Sequence, residues 1–226
     1  MTNETQPRRR GPVLFGLAAA ALLAGLAGIY VIGGADGNRQ EAGACSGALA
    51  RAASIGAAAQ GEVAAFLPAT KAQSLSDLAF LAPDGSQMTL ADFRGRTVLL
   101  NLWATWCAPC RKEMPALDRL QAELGDEDFE VVTVSVDQGS PDKPKAFLSE
   151  IGVASLAFYS DPTMGIFHKV RSYGRAPGLP TTLLVDGEGC EIGALMGPAE
   201  WDSPDALALI RAAMEKGRAA MEDGKK

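Results

Sequence analysis

The chain is short of metal ligands and of basic charge. Among its 226 residues there is one histidine, His168, and there are four cysteines. Lys and Arg number 21 against 27 Asp and Glu, and the formal net charge is -6. Residues 1–34 carry only Glu4 and Arg8, Arg9 and Arg10, so the rest of the chain stands at -8. A body that acidic is unsuited to a phosphate backbone, which binds through Lys and Arg, and nucleic acid is excluded as a partner. No internal repeat is visible. A zinc site takes about four ligands, and beyond one close pair of cysteines only Cys45, Cys190 and His168 remain, with no second close pair among them. No resident metal is expected.

What the chain does have is two thiols three positions apart, in Trp106-Cys107-Ala108-Pro109-Cys110. The apolar run Val98–Trp103 precedes them and reads as a strand. Met114, Leu117, Leu120 and Leu124 follow at three- and four-residue spacing, which predicts a helix. Cys107 therefore falls at a strand-to-helix turn. Unpaired N–H groups and the partial positive charge of a helix N-terminus favour a thiolate there. Pro109 suits the first turn, where its missing N–H has no intrahelical partner. The expected roles are Cys107 as the more exposed nucleophile and Cys110, one turn on, as the buried resolving thiol.

Four cysteines allow three pairings. The CxxC spacing claims Cys107 and Cys110, which leaves Cys45 and Cys190 either as a structural disulfide, maintained only in an oxidising compartment, or as two separate thiols.

Residues 11–34 are free of charge and rich in Leu, Ala, Ile and Val. At about 1.5 Å per residue this run crosses a ~30 Å hydrocarbon core, and the arginines before it place the N-terminus in the cytoplasm. The rivals are a cleaved signal peptide, whose apolar region is normally shorter and for which no clean Ala-x-Ala site follows, and a lipidated Cys45, which Asp36, Arg39, Gln40 and Glu41 separate from the apolar run.

Further along, Leu78–Leu81 and Met88–Leu90 flank the turn residues Pro83–Ser86 and read as a hairpin. Phe129–Val136 is a β-branched, buried strand. Lys145–Ile151 reads as helix, Leu156–Tyr159 as a short strand and Met164–Val170 as a helix. Leu183–Asp186 and Cys190–Met196 form a second hairpin about Gly187-Glu188-Gly189. Ser203 and Pro204 open a last helix.

The string Asp92–Pro115, with Asn101-Leu102-Trp103-Ala104-Thr105-Trp106-Cys107-Ala108-Pro109-Cys110-Arg111-Lys112-Glu113-Met114-Pro115 at its heart, resembles the TlpA/ResA-like branch of the thioredoxin superfamily. The resemblance covers about residues 75 to 215. It implies an α/β thioredoxin fold with an N-terminal β-hairpin and a central strand–helix insertion, preceded by one transmembrane helix. The expected organisation is a cytoplasmic N-terminus (1–10), an anchor (11–34), a tether with a short helical segment (35–74), a thioredoxin-like domain (75–216) and a flexible tail (217–226).

The resemblance also implies a protein-disulfide reductase working by a redox-active Cys107–Cys110 disulfide, with no further cofactor. The family serves the cell envelope, including cytochrome c maturation and assembly of cytochrome oxidase copper sites. Implied partners are disulfide-bearing envelope proteins such as copper-site assembly factors or apocytochrome c, and a membrane thiol donor of the DsbD/CcdA type. The implied location is the bacterial inner membrane, with the catalytic domain in the periplasm. The branch carries a second, non-catalytic cysteine pair, which supports Cys45–Cys190.

Pro180 matches the superfamily's cis-proline, so Leu179–Pro180 should be cis and should offer backbone groups to an extended substrate, with Trp106 on the docking surface. Thioredoxin's buried aspartate is replaced by Asn101, which cannot ionise. Glu113, three residues after Cys110, matches the branch's glutamate near the thiols. It is either a buried carboxylate with a raised pKa that accepts a proton or an ordinary solvated helix residue. Pro115 should kink the helix. Two other activities compete. One is a disulfide oxidant or isomerase. The other is a non-enzymatic copper chaperone using Cys107, Cys110 and His168, although copper chaperones of this fold use a CxxxC spacing.

Overall fold

The computed structural model describes residues 45–223, with side chains to residue 214. The expected cytoplasmic segment 1–10 and transmembrane helix 11–34 lie outside the described residues. None of the described helices is long and apolar enough to cross a membrane.

Eight strands form one sheet: β1 (Leu67–Pro68), β2 (Ala79–Leu81), β3 (Gln87–Thr89), β4 (Thr97–Trp103), β5 (Phe129–Ser135), β6 (Tyr159–Ser160), β7 (Thr181–Val185) and β8 (Glu191–Met196). Their spatial order is β1-β8-β7-β4-β5-β6-β2-β3. β4 is buried along its whole length, its apolar run Val98–Trp103 interrupted only by Asn101, as expected of a strand covered on both faces. It pairs in parallel with β5 and antiparallel with β7. The parallel pair is joined by helix α2 (Ala108–Leu124), since parallel neighbours need a crossover. The remaining helices are α1 (Ser46–Ile55), α3 (Asp142–Glu150), α4 (Gly165–Ser172) and α5 (Pro204–Asp223). Pro115 lies inside the continuous α2, not at its start.

The β2–β3 hairpin, α3 and α4 lie near their expected positions, and β6 begins at Tyr159, where the expected strand Leu156–Tyr159 ends. The segment from Cys45 to residue 74 packs as part of the domain: Ile55, Val63 and Phe66 are buried in the main core. Leu67 and Pro68 pair with Ala194 and Gly193 at one edge of the sheet. At Gly193 a Cβ would meet the Phe66 ring at 2.4 Å, so this close approach needs glycine. The packed unit therefore begins well before residue 75. At the other end α5 continues to Asp223, past the expected end at 216.

Candidate redox site

The geometry of the site starts from the end of β4. The backbone leaves the sheet after Trp103 and Cys107 becomes the N-cap of α2, with Pro109 in the first turn. The Cys107 sulfur accepts a hydrogen bond from the Cys110 backbone N–H at 3.3 Å. An N-cap acceptor sits at the positive end of the helix dipole, so negative charge on this sulfur is favoured. Cys107 and Cys110 are joined in a disulfide. Cys107 keeps 6% of its surface exposed and Cys110 none, which agrees in direction with the expected nucleophile and resolver. Trp106 beside them is 62% exposed.

The register of the sheet brings the second part of the site alongside. Leu102 of β4 pairs with Thr181 of β7, so the residue before Thr181 lies next to the end of β4. That residue is Pro180, and the Leu179–Pro180 peptide bond is cis. The Pro180 carbonyl accepts from the Gly197 N–H at 3.0 Å. Leu179 is half-buried, and its backbone N–H and carbonyl make no intramolecular hydrogen bond among the described residues.

One turn of α2 beyond Cys110 stands Glu113, 3% exposed. One carboxylate oxygen accepts from Asn101 Nδ2 at 2.9 Å. The other accepts from the Ala199 backbone N–H at 3.2 Å and from Trp201 Nε1 at 3.3 Å. Burial raises its pKa to about 7, with Glu200 pushing the same way, while the three hydrogen bonds pull it down. This is the buried carboxylate of the two alternatives for Glu113. Asn101, itself fully buried, also donates to Thr182 Oγ1 at 2.9 Å. The interior acid has thus moved from the strand to the helix, and the residue at 101 holds it in place. A cavity of about 360 Å³, lined by Glu113, Pro109, Lys112, Ala199, Glu200 and Glu62, reaches this carboxylate.

Two contributors escape a linear reading. Trp201 is fully buried, and a buried indole needs a partner for its N–H; here the partner is Glu113. Its only sequence signal is a tryptophan just beyond the β8–Gly197-Pro198 turn. Asp137, also buried, accepts from the Thr105 N–H at 2.8 Å, the Thr105 hydroxyl at 2.5 Å and the Ser135 hydroxyl at 3.0 Å. It ties the end of β5 to the loop that presents Trp106 and Cys107.

Cys45 and Cys190 form the second disulfide. Both are about 1% exposed and share a small cluster of their own with Ala48 and Ala72. Asp186 accepts from the Cys190 N–H at 2.9 Å and pairs with Arg51 at 3.3 Å. His168 is exposed on α4. Among the described residues no group of three or more His, Cys, Asp or Glu is placed to hold a metal.

A CxxC disulfide capping a helix after a buried central strand, beside a cis-proline that opens the neighbouring strand, defines the thioredoxin class. The comparisons narrow it. The redoxin family model matches residues 65–210, and the chain belongs to that family, within the TlpA/ResA-like part of the thioredoxin superfamily. It is 36% identical over 126 residues to the thioredoxin-like protein YneN of Bacillus subtilis, a match covering 52% of this chain and 66% of that protein. It is 36% identical over 127 residues to the thiol:disulfide interchange protein HelX of Rhodobacter capsulatus, covering 54% of this chain and 66% of that one. The chain thus spans just under two thirds of the length of these relatives. Among solved structures, a thiol:disulfide interchange protein DsbE from Chlorobium tepidum is similar at TM-score 0.53 and 31% identity, over 63% of this chain and 96% of that one.

Proposed function

We propose that the chain is a protein-disulfide reductase held on the outer side of the bacterial inner membrane by residues 11–34. The observation that carries the reading is the Cys107–Cys110 disulfide at the N-cap of α2, one turn before the buried Glu113 carboxylate. In the reduced chain the Cys107 thiolate attacks one sulfur of a substrate disulfide and expels the other as a thiolate, which takes up a proton. Glu113 accepts the proton of the Cys110 thiol. The Cys110 thiolate then attacks Cys107 in the mixed disulfide, closing Cys107–Cys110 and releasing the second substrate thiol. Two electrons pass from the dithiol to the substrate. Leu179, with its free backbone groups, and Trp106 receive the substrate chain on either side of the sulfur.

Because the product is the oxidised chain, a dithiol donor must regenerate it; a membrane donor of the DsbD/CcdA type fits an anchored protein. The location is supported by the apolar run, by the arginines before it and by a buried Cys45–Cys190 disulfide, which suits an oxidising compartment. Substrates are envelope proteins with accessible disulfides, among them proteins of cytochrome c or cytochrome oxidase biogenesis.

The test is equilibration of the full chain with dithiothreitol buffers. A potential for Cys107–Cys110 near or below about −270 mV agrees with a reductant, and one near about −120 mV makes the protein an oxidant.

A further inference from the structure

Most of the described cations whose charge is answered by an acid are easy to find. Arg51, Arg96, Arg119, Lys169, Arg175 and Arg211 each sit in an ion pair. Seven described cations stand in no ion pair, and four of them, Arg111, Lys112, Lys143 and Lys145, lie directly after Cys110 or in the first turns of α3. Arg111, directly after Cys110, and Lys143, in the first turn of α3, are both exposed, and neither forms an ion pair among the described residues. They share one face: the Arg111 guanidinium lies 4.8 Å from the centre of the Phe147 ring, and Phe147 is one turn of α3 beyond Lys143. Lys143 also lines a cavity of about 310 Å³ together with Trp106, Asp137 and Met164.

Two carboxylates stand near this face, Asp137 and Asp142, against four exposed cations, Arg111, Lys112, Lys143 and Lys145. Asp137 is buried, and its carboxylate oxygens accept from Thr105 and Ser135. Asp142, exposed beside Lys143, accepts from the Ser140 hydroxyl at 2.7 Å. Glu62 and Glu200 line the other cavity together with Lys112. The result is an open positive face around an exposed tryptophan on a chain whose body is strongly acidic. Such a contrast orients an incoming partner more than it adds contact energy.

We propose that the face formed by Trp106, Arg111 and Lys143 docks an acidic segment of a disulfide-bearing polypeptide. Carboxylates flanking the partner's cystine lie on the α3 side, and the cystine itself reaches Cys107. This deepens the exchange reading and rests on it. The acidic body turns such a segment away elsewhere, so the encounter is productive mainly at the thiol.

The test uses the reduced full chain and three substrates: a neutral small-molecule disulfide, a disulfide peptide flanked by Asp and Glu, and the same peptide flanked by Lys and Arg. The acidic peptide should be reduced about tenfold faster or more than the basic one at low salt. The advantage should shrink as salt rises to about 1 M, where the Debye length is about 3 Å. Arg111→Glu with Lys143→Glu should cancel or reverse the preference. Lys71→Glu with Arg94→Glu, an equal charge change at two exposed sites outside the face, should keep it. Equal rates on the two peptides, or a preference that survives the double change, overturns the docking proposal while exchange with the neutral disulfide still stands. No reduction of any of the three overturns the exchange reading and the docking proposal with it.

Discussion

Cys107–Cys110 and Cys45–Cys190 are the same covalent bond in two settings. The first spans three positions at the start of a helix; the second spans 145 and joins α1 to the turn before β8. Around the first are an exposed indole, a half-buried Leu179 with free backbone groups and a carboxylate that titrates near neutrality. Around the second are Ala48, Ala72 and the Arg51–Asp186 ion pair, with both sulfurs out of reach of solvent. Exchange needs an accessible sulfur, a stabilised thiolate and somewhere for a proton to go. Only the first setting supplies all three. The second supplies what a crosslink needs, a long span and protection from thiols.

The largest expected difference between the two follows from removing a sulfur. Cys107→Ser should reduce exchange to the uncatalysed background, and Cys110→Ser should trap a mixed disulfide visible on a non-reducing gel. The pair Cys45→Ser with Cys190→Ser should leave the exchange chemistry in place and lower stability by about 5 kcal/mol, the chain-entropy ceiling for so long a span. Urea unfolding followed by fluorescence measures it. If exchange collapses while the fold survives, the division of labour between the cystines is wrong.

Glu113→Gln comes next. The folded chain holds this proton to about pH 7, against 4.5 for an ordinary glutamate. Between those values the folded state binds more protons than the unfolded one, so the site's contribution to stability falls as pH rises through that window. The substitution should remove a slope worth at most about 3 kcal/mol, and the chain should become more stable above pH 7 relative to the wild type. It should also slow exchange by roughly 10²-fold and erase the inflection near pH 7 in the rate profile. A smaller effect is expected of Trp201→Phe. It deletes one hydrogen bond that favours the charged carboxylate, so the inflection should move upward while the reaction continues. An unmoved inflection would mean that the indole serves packing alone.

The two cystines were also unequally legible in the sequence. The CxxC announces itself because its meaning is local: strand, turn, two thiols, helix. β4 reads directly from an apolar run broken only at Asn101, and the hairpins from their turn residues. Cys45–Cys190 is a long-range contact that spacing could only leave open. The same holds for the segment between Cys45 and residue 74. Its one strand is two residues long, too short for any periodicity, and it belongs to the sheet only through β8. Glu113 could be placed on a helix but not in or out of water, because what buries it, Asn101, Ala199 and Trp201, comes from elements far apart in the chain.

The most direct measurement is the order in which the two cystines open. The full chain is equilibrated in redox buffers of falling potential, the free thiols are alkylated at each step, and the modified cysteines are located by mass spectrometry. Cys107 and Cys110 should be labelled first and together, while Cys45 and Cys190 stay protected until the potential is below about −300 mV, the range of structural disulfides. Labelling of Cys45 and Cys190 before or alongside the CxxC would contradict the account.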